Sequence, residues 1–390
     1  MVGTSPEGNP LPILPRFFTS LLRVAKGERP DHVRIAWLGD SHTQPDIWTQ
    51  AVRRPLQERF GVGGPGFIHV GWKKWGYRHT GVDLSVHGQW RIEPPRLLTA
   101  DTYEDGVLGL GGVRLVPRPG ARAGMVVNAS TLPGPARWEL ALRVIDDDAK
   151  LRIKPQGAEA IDVEKDAEQP GVRHIEWTTP GPGGGFEVEA IRGRVELFGV
   201  VVETSDKPGV TLDVLGLNGA RVVHALTWNE SAWTTALRRR KPDLIVLAYG
   251  TNEAGMKNLS MDGHRQRLDA LLDRTRSASP DADCLIIGAM DRGSLPMSEK
   301  IEQINLAQAA AAKDRGCAFW SAQTAMGGRG SMEKWAAEEP PMATSDRVHL
   351  KVPGYNRLGA LLARDLLRAF DEGQAASNAS AAGRTTSNTP

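Results

Sequence analysis

The sequence predicts an α/β protein in which a doubly wound parallel sheet is interrupted by an inserted antiparallel β-sandwich. Two observations lead to this prediction. Short apolar runs that end in Gly, Asn, Asp or Ser alternate with stretches of helical pattern, as is typical of parallel strands buried on both faces. One long Gly- and Pro-rich stretch of the 390-residue chain breaks the alternation and has the two-residue period of half-buried strands.

Five apolar runs predict the strands of the parallel sheet. In chain order they are VRIAWLGDS, TLDVLGLNG, DLIVLAYGTN, DCLIIGAMD and CAFWSA. Helical patterns lie between and after them, at residues 46–60, 231–240, 262–277, 298–315 and 355–370. Ser298 is predicted to cap the fourth helix at its N-terminus and Gly316 to end it. Ligands of such sheets bind at the carboxyl ends of the strands, so the functional site is expected there.

The stretch that breaks the alternation runs from about residue 81 to 205. It contains segments such as ARWELALRVI and RVELFGVVVE, separated by turn clusters such as TPGPGGG. The predicted organisation is therefore an α/β domain formed by residues 1–80 and 206–372, with a β-sandwich inserted at 81–205. Its tryptophans Trp90, Trp138 and Trp177 either stack on sugar rings or pack in the core.

Composition limits the kinds of partner. The 48 basic and 46 acidic residues nearly balance, which argues against nucleic-acid binding and against docking on anionic membranes. No apolar stretch approaches the roughly 20 residues of a transmembrane helix, and no signal peptide is visible at the N-terminus. Cys284 and Cys317 lack metal-ligand spacing and are expected to be buried free thiols rather than a disulfide. The last residues, 373–390, are small and polar and are predicted to be disordered.

The residues that could carry chemistry follow the predicted strands. Ser41 follows the first strand, Gly219 the second and Asn252 the third, so the three should meet at one edge of the sheet. A hydroxyl nucleophile surrounded by N–H donors is what a tetrahedral acyl-transfer intermediate requires. Asp346 and His349, just before the last helix, supply a general base and a carboxylate to orient it. The order Ser, Asp, His predicts a catalytic triad.

Each of these residues also has a purely structural interpretation. Ser41 could cap the following helix, and Gly219 could serve only a turn. Asn252 could cap a loop, and His349 could be a structural histidine. Ser41, Gly219, Asn252 and the pair Asp346 and His349 occur in this order, each next to a predicted strand or helix. Their joint occurrence favours the catalytic interpretation. Asp40 is expected to be structural, as a carboxylate of the turn or of the surroundings of the site.

The sequence predicts no metal site and no organic cofactor. The histidines outside these blocks form no cluster with ligand spacing. His42 and Gln44, which follow Ser41 closely, are weaker candidates for residues that line the pocket. An acyl transfer through a serine requires neither a metal nor a cofactor.

At these residues the sequence resembles the SGNH hydrolases, also called GDSL-type esterases. The four blocks of that family correspond to GDSH, GLNGAR, GTNE and DRVH. The resemblance covers about residues 33–76 and 209–370 and implies a flavodoxin-like three-layer parallel sheet. It implies that Ser41, Asp346 and His349 are catalytic and that Ser41, Gly219 and Asn252 form the oxyanion hole. The absence of a GxSxG sequence argues against an ordinary α/β-hydrolase.

A narrower similarity is carried by GDSHTQPD, by the β-rich insertion after it and by AMGGRGSMEKW. These features are similar to bacterial peptidoglycan O-acetylesterases, which carry a carbohydrate-binding-like β-domain at this point. The similarity implies an O-acetylated polysaccharide as substrate, with acetyl removed from the 6-hydroxyl of N-acetylmuramic acid, and a periplasmic or cell-envelope location. An O-acetyltransferase, a xylan-type acetylesterase and a non-catalytic glycan-binding protein remain alternatives, and the sequence does not predict an oligomeric state.

Overall fold

The computed structural model describes residues 3–72, 76–97 and 101–386. The strands in this part of the chain are β1 (Val33–Gly39), β2 (Gly66–Ile68), β3 (Val82–His87), β4 (Trp90–Glu93), β5 (Arg114–Pro117), β6 (Arg122–Val127), β7 (Ala136–Val144), β8 (Lys150–Pro155), β9 (Ile161–Glu164), β10 (Arg173–Thr179), β11 (Gly184–Arg192), β12 (Val195–Thr204), β13 (Val210–Gly216), β14 (Leu244–Ala248), β15 (Asp283–Gly288) and β16 (Ala318–Ser321). The helices are α1 (Pro15–Ala25), α2 (Trp48–Phe60), α3 (Val222–Leu226), α4 (Glu230–Arg240), α5 (Thr251–Ala254), α6 (Met261–Ala278), α7 (Leu295–Arg315), α8 (Ala322–Met326), α9 (Ser331–Ala337) and α10 (Val352–Thr386).

Five parallel strands form the central sheet, in the order β13–β1–β14–β15–β16. Every residue of β1, β13 and β14 is buried, as expected for strands that are covered on both faces. The strand order changes direction at β1, so the topological switch point lies between β1 and β14. The prediction of an α/β fold with a parallel sheet is therefore confirmed. At the carboxyl edge Gly39 pairs with both Gly216 and Ala248, which places the ends of three strands side by side.

Helices pack on both faces of this sheet. Ile35 and Trp37 of β1 belong to a hydrophobic cluster with α1, α2 and α10. Ala36 and Leu38 of the same strand belong to a second cluster with α4, α6 and α7. Successive side chains of a strand point to opposite faces of the sheet, so successive residues of β1 belong to different clusters. Among the described residues, no helix is both long enough and apolar enough to cross a membrane.

The predicted helix bounds agree with α2, α4 and α6 to within two residues but not with α7 and α10. The prediction that Ser298 caps α7 is wrong, because α7 begins at Leu295 after the N-cap residue Ser294. Ser298 is fully buried inside the helix, and its hydroxyl donates to Asp291. The second residue of α7 is a proline. Proline usually interrupts helices but is well tolerated in the first turn, so the helix begins before the predicted position. Gly316 ends α7 in the left-handed conformation, with φ of 65°, as predicted.

The predicted disordered tail is helical over most of its length. Helix α10 continues to Thr386, well beyond residue 373, where disorder was expected to begin. The segment is rich in alanine, which has the highest helix propensity, so its small and polar composition does not prevent a helix. Residues 387–390 lie outside the described part of the chain.

Two antiparallel sheets lie between β1 and β13 in the chain. One has the order β10–β7–β12–β5–β4, and the other has the order β3–β6–β11–β8–β9. Both contribute to one hydrophobic cluster, for example through Leu140 of β7 and Val188 of β11. Strand β2, which precedes residue 81, pairs with β12 and so joins the first of these sheets.

Two of the three tryptophans in this region belong to the core. The rings of Trp138 and Trp177 stack 6.0 Å apart, and Phe186 packs edge-on against both. Trp138 is fully buried and donates from Nε1 to the hydroxyl of Thr179. These two residues therefore stabilise the sheets rather than offer a face to a sugar. Trp90 is only half-buried.

Cys284 and Cys317 form a disulfide, so the expectation of free thiols is wrong. Their Cα atoms are 4.9 Å apart because β15 and β16 are neighbouring parallel strands. The cysteines precede the paired residues Leu285 and Ala318 by one position each, so the register of the strands brings them together. The apolar runs around the cysteines had indicated burial but not strand order.

Removing this disulfide is expected to lower the free energy of unfolding by about 3–4 kcal/mol, because the bond closes a long loop in the unfolded chain. The cysteines are 33 residues apart in sequence. The test is urea unfolding of a Cys284→Ala/Cys317→Ala double variant beside the oxidised and the reduced wild type. Unfolding midpoints that agree for all three samples would contradict the prediction.

Candidate active site

A tight turn at the end of β1 positions Ser41. The carbonyl oxygen of Asp40 accepts hydrogen bonds from the N–H groups of Thr43 and Gln44, both at 3.1 Å. A Cβ atom at Gly39 would lie 2.1 Å from the Thr43 hydroxyl oxygen, so only glycine permits this close turn. Ser41 is consequently held at the carboxyl edge of the sheet, beside the ends of β13 and β14.

Ser41, His349 and Asp346 form a hydrogen-bonded chain. The Ser41 Oγ lies 2.9 Å from His349 Nε2, and His349 Nδ1 lies 2.7 Å from Asp346 Oδ2. Ser41 is separated from His349 by 308 residues in sequence, so the fold alone brings them together. The three side chains are partly exposed, which leaves the serine hydroxyl accessible from solvent.

The Asp346 carboxylate is fixed by its own loop. Its Oδ1 accepts hydrogen bonds from the N–H groups of Val348 at 2.9 Å and His349 at 3.0 Å, and also from the Thr344 hydroxyl. Burial on its own would raise the pKa of Asp346, but the hydrogen bonds from His349, Thr344 and the backbone outweigh it and hold this pKa below its ordinary value. Asp346 is therefore ionised at neutral pH.

An ionised Asp346 determines which imidazole nitrogen carries the proton. The carboxylate can only accept, so His349 Nδ1 must donate to it. In neutral His349, Nε2 is then the unprotonated nitrogen and can accept a proton from Ser41. This is the relationship of nucleophile, base and orienting carboxylate that activates a serine in acyl transfer.

The loop after β13 carries Gly219. Its φ of 76° lies in the left-handed region, and a Cβ there would meet no protein atom within 4 Å. The backbone conformation, rather than crowding by other protein atoms, therefore favours glycine at this position. The preceding residue, Asn218, donates its backbone N–H to Gln44 Oε1 at 2.8 Å.

Gln44 thus positions the Gly219 loop against the turn that holds Ser41. Gln44 was only a weak candidate from sequence because a glutamine three residues after a serine has no distinctive pattern. Its burial, with only 1% of its surface exposed, indicates a structural connection between the two loops. Its proximity to Ser41 in sequence was the one available signal.

Asn252 connects the ends of all three strands. Its Nδ2 donates to the carbonyl oxygen of Ala220, in the Gly219 loop, at 3.0 Å, and to Asp40 Oδ2 at 3.3 Å. An amide nitrogen has two N–H groups, so both are engaged here. Donation to a substrate oxygen would require Asn252 to exchange one partner, and the longer contact to Asp40 is the weaker of the two.

Asp40 and Glu253 form a buried acidic pair beneath the site. Burial raises the pKa of Asp40 to about 7, with a further contribution from Glu253, while the backbone N–H of His42 opposes the rise. Burial also raises the pKa of Glu253, which accepts backbone hydrogen bonds from Val222 at 2.9 Å and Gly250 at 3.1 Å. Asp40 therefore acts as a structural link between loops, in line with its expected role.

Asp40 should make the stability of the protein depend on pH. Its pKa is about 7 when folded and near 3.9 in an unfolded chain, so the folded state binds the proton more tightly. Its contribution is therefore most favourable below about pH 4 and falls, on the order of 4 kcal/mol in total, as the pH rises to about 7.

The test of this pH dependence is urea unfolding of the wild type and Asp40→Asn across that pH range. The difference in stability between the two proteins should change with pH, in favour of the variant as the pH rises. Asp83→Asn, at an exposed position of β3, is the control. Curves for wild type and Asp40→Asn that stay parallel would contradict the assignment.

His42 lies behind the His349 ring instead of lining an open pocket. Its Nδ1 is 2.8 Å from the Tyr355 hydroxyl, and its ring centre is 5.4 Å from that of His349. Burial lowers the pKa of His42 to about 3, so it stays neutral at physiological pH. His42 therefore adds no positive charge beside the one that His349 acquires when it accepts a proton.

Arg292 connects further loops at the site and has no motif that would reveal it in the sequence. Its Nη1 donates to the carbonyl oxygen of Thr251 at 2.6 Å, next to Asn252. The following residue, Gly293, donates its N–H to the carbonyl oxygen of Arg347 at 2.8 Å. The segment after β15 thus holds the loops of Asn252 and His349 in register.

Comparison with known proteins agrees with this arrangement. Residues 201–357 match a family model described as the GDSL-like Lipase/Acylhydrolase family. A solved structure of a peptidoglycan O-acetylesterase in action shares 25% identity with a TM-score of 0.75, and the match covers 92% of this chain and 96% of that chain. A lipase/acylhydrolase from Enterococcus faecalis shares 18% identity, with a TM-score of 0.32 and coverage of 41% and 76%. The comparison with curated proteins gave no match.

The fold, the family model and the similarity to the peptidoglycan O-acetylesterase define the class of this protein. It carries a GDSL/SGNH hydrolase domain, and it is an esterase. The resemblance to the SGNH hydrolases inferred from the four sequence blocks is thereby confirmed.

Proposed function

We propose that this esterase removes O-acetyl groups from peptidoglycan, at the 6-hydroxyl of N-acetylmuramic acid, through an acetyl-serine intermediate. The observation that carries the proposal is the hydrogen-bonded chain of Ser41, His349 and Asp346 at the carboxyl edge of the sheet. The choice of substrate is supported by the similarity to a peptidoglycan O-acetylesterase over most of both chains.

The reaction follows from the roles these atoms can take. Ser41 Oγ attacks the acetyl carbonyl carbon while its proton passes to His349 Nε2. The oxyanion of the tetrahedral intermediate accepts hydrogen bonds from the backbone N–H groups of Ser41 and Gly219 and from the Asn252 amide. His349 then protonates the departing sugar oxygen, and the carbon–oxygen bond to the sugar breaks. A water molecule then attacks the acetyl carbon while His349 Nε2 takes its proton. The bond from that carbon to Ser41 Oγ breaks, acetate leaves, and His349 returns the proton to Ser41 Oγ.

The proposal also includes a role for the two antiparallel sheets and a cellular location. We assign residues 81–205 to an inserted β-sandwich, on the basis of the hydrophobic cluster to which both sheets contribute. The resemblance to peptidoglycan O-acetylesterases supports a carbohydrate-binding-like role for it. We also place the protein in the cell envelope. The disulfide between Cys284 and Cys317 supports this location, because disulfides persist in oxidising compartments such as the periplasm.

Acetate release from O-acetylated peptidoglycan and from O-acetylated xylan tests the proposed substrate. Both reactions are run with the wild type and Ser41→Ala, and p-nitrophenyl acetate serves as a generic ester. Serine-dependent release that is much faster from peptidoglycan than from xylan is expected. Release from xylan or the generic ester alone would overturn the substrate assignment. Transfer of acetyl to added glycan, with no free acetate, would identify a transferase instead.

Replacing Asn252 by alanine tests the oxyanion hole. Because one of its three donors is lost, kcat should fall on the order of 10²–10³-fold while KM changes little. The control is Asn229→Ala, which removes the N-cap of α4; its side chain contacts Ala232 and Asp105 and none of the three donors. A kcat within about threefold of the wild type would exclude Asn252 from the oxyanion hole.

A further inference from the structure

A cavity of about 400 Å³ opens beside Gly219. Its walls come from the turn after Ser41, from the segments on either side of the β-rich region, and from the loop and helix after β13. The lining residues are Gln44, Trp72, Pro94, Pro95, Arg96, Leu97, Val113, Leu217, Asn218, Gly219, Arg221 and His224. None of them is acidic, and two are arginines. The cavity is therefore positively charged and adjoins a proposed oxyanion donor.

The two arginines differ from most others in this protein. Most arginines in the described part of the chain pair with a carboxylate, as Arg53 does with Asp46 and Arg240 with Asp213. Arg96 and Arg221 form no ion pair with any described residue. Arg96 is exposed and Arg221 is half-buried, so both can reach an anion that enters the cavity. A guanidinium group is well suited to bind a carboxylate through two parallel hydrogen bonds.

His224 also lines this cavity and carries a buried N–H group. The backbone N–H of Arg221 donates to His224 Nδ1 at 2.9 Å, so this nitrogen is unprotonated and Nε2 carries the proton. Only 3% of the His224 surface is exposed, and its Nε2 has no hydrogen-bond partner among the described residues. A buried N–H group without an acceptor is unfavourable, but Nε2 itself is fully buried, so His224 shapes the cavity wall and is not counted among the donors to a ligand.

We infer that this cavity binds an anionic substituent of the acetylated glycan, a carboxylate carried by the sugar itself. The inference rests on the proposed function and adds the charge of the substrate to it. Gly219, Arg96 and Arg221 line the same cavity, so a sugar whose ester carbonyl lies at Gly219 can place a substituent beside the two arginines. The apolar surfaces of Leu97, Val113 and Leu217 are suited to its carbon skeleton.

Two substrates that differ only in the charge of one group test the effect of that charge on hydrolysis. One is 6-O-acetyl-N-acetylmuramic acid, which carries a carboxylate, and the other is its neutral methylamide, which differs only at that group. The full chain should hydrolyse the acid with a kcat/KM about tenfold higher than the methylamide at low ionic strength, as expected for a charge-assisted pair. Added salt should reduce this ratio.

Arginine variants test whether the preference for the acid over the methylamide arises in this cavity. Arg221→Gln and, separately, Arg96→Gln should each reduce the ratio of the two kcat/KM values towards one. Because each ratio is measured on one protein preparation, partial misfolding of a variant does not change it. The control Arg118→Gln, at an exposed arginine that does not line the cavity, should keep the wild-type ratio.

The possible outcomes separate this inference from the proposed function. Equal rates on acid and methylamide, or a preference that neither arginine variant changes, would overturn the anionic subsite and leave the esterase assignment intact. Hydrolysis of neither sugar, together with serine-dependent hydrolysis of p-nitrophenyl acetate, would overturn the subsite and the substrate. Loss of serine-dependent hydrolysis on every ester would overturn the proposed function itself.

Discussion

Replacing Ser41 by alanine is expected to lower kcat for acetate release by at least about 10⁴-fold, because no other group can form the covalent acyl intermediate. The hydroxyl is the atom that His349 Nε2 contacts at 2.9 Å, and the turn that carries it depends on Gly39 and on the Asp40 carbonyl, not on the serine side chain. The fold of the variant should therefore persist. The change is measured as initial rates of acetate release from O-acetylated peptidoglycan.

The control for this experiment is Ser85→Ala, which removes a serine hydroxyl from an exposed position of β3. It should retain the wild-type rate. The thermal unfolding midpoint of Ser41→Ala should remain close to that of the wild type, which would separate a chemical defect from unfolding. If Ser41→Ala kept more than about a tenth of the wild-type rate, Ser41 would not be the nucleophile.

Replacing Asp346 by asparagine is expected to lower kcat on the order of 10³–10⁴-fold and to leave KM nearly unchanged. The carboxylate accepts the Nδ1–H of His349 at 2.7 Å and so leaves Nε2 free to take the serine proton. An asparagine can turn its NH₂ group towards Nδ1, which would favour the opposite tautomer. The proton would then lie on Nε2, and His349 could not act as a base.

Steady-state kinetics on p-nitrophenyl acetate and on peptidoglycan measure the effect of Asp346→Asn, with Asp83→Asn as the control. The two backbone N–H groups that donate to Asp346 Oδ1 can still donate to an amide oxygen, so the loop should keep its conformation. A loss that appears mainly in KM, or a fall of less than about tenfold in kcat, would mean that Asp346 does not orient the base.

Much of the candidate site could be predicted because it depends on strand order and on short blocks. Buried apolar runs indicate parallel strands, and parallel strands place their carboxyl ends together. Ser41, Gly219 and Asn252 therefore could be expected at one edge before their positions were known. The loop of Asp346 and His349 precedes the last helix, and its position required only that the chain return to that edge.

Other features depend on contacts that no local pattern records. The disulfide requires β15 and β16 to be neighbours in a particular register, whereas the sequence shows only two apolar runs. Gln44 accepts the backbone N–H of Asn218, which lies 174 residues away in sequence. The helical tail follows from alanine propensity, which the low hydrophobicity of residues 373–386 had outweighed in the sequence interpretation.

The cavity beside Gly219 also depends on contacts between distant parts of the chain. Arg96 comes from the β-rich region and Arg221 from the loop after β13, so their proximity arises only when the two parts of the chain pack together. Each arginine alone is unremarkable in a chain with 48 basic residues. What distinguishes them is that both line one cavity whose lining residues include no carboxylate.

The most direct test of the central claim is to trap the acyl-enzyme. The wild type is mixed briefly with p-nitrophenyl acetate, quenched in acid, digested and examined by mass spectrometry. The peptide containing Ser41 should gain the mass of one acetyl group, fragmentation should place that group on Ser41, and the gain should be absent from His349→Ala treated in the same way. Acetylation at another residue, or turnover with an unmodified Ser41 peptide at every quench time, would contradict a mechanism in which Ser41 is the nucleophile.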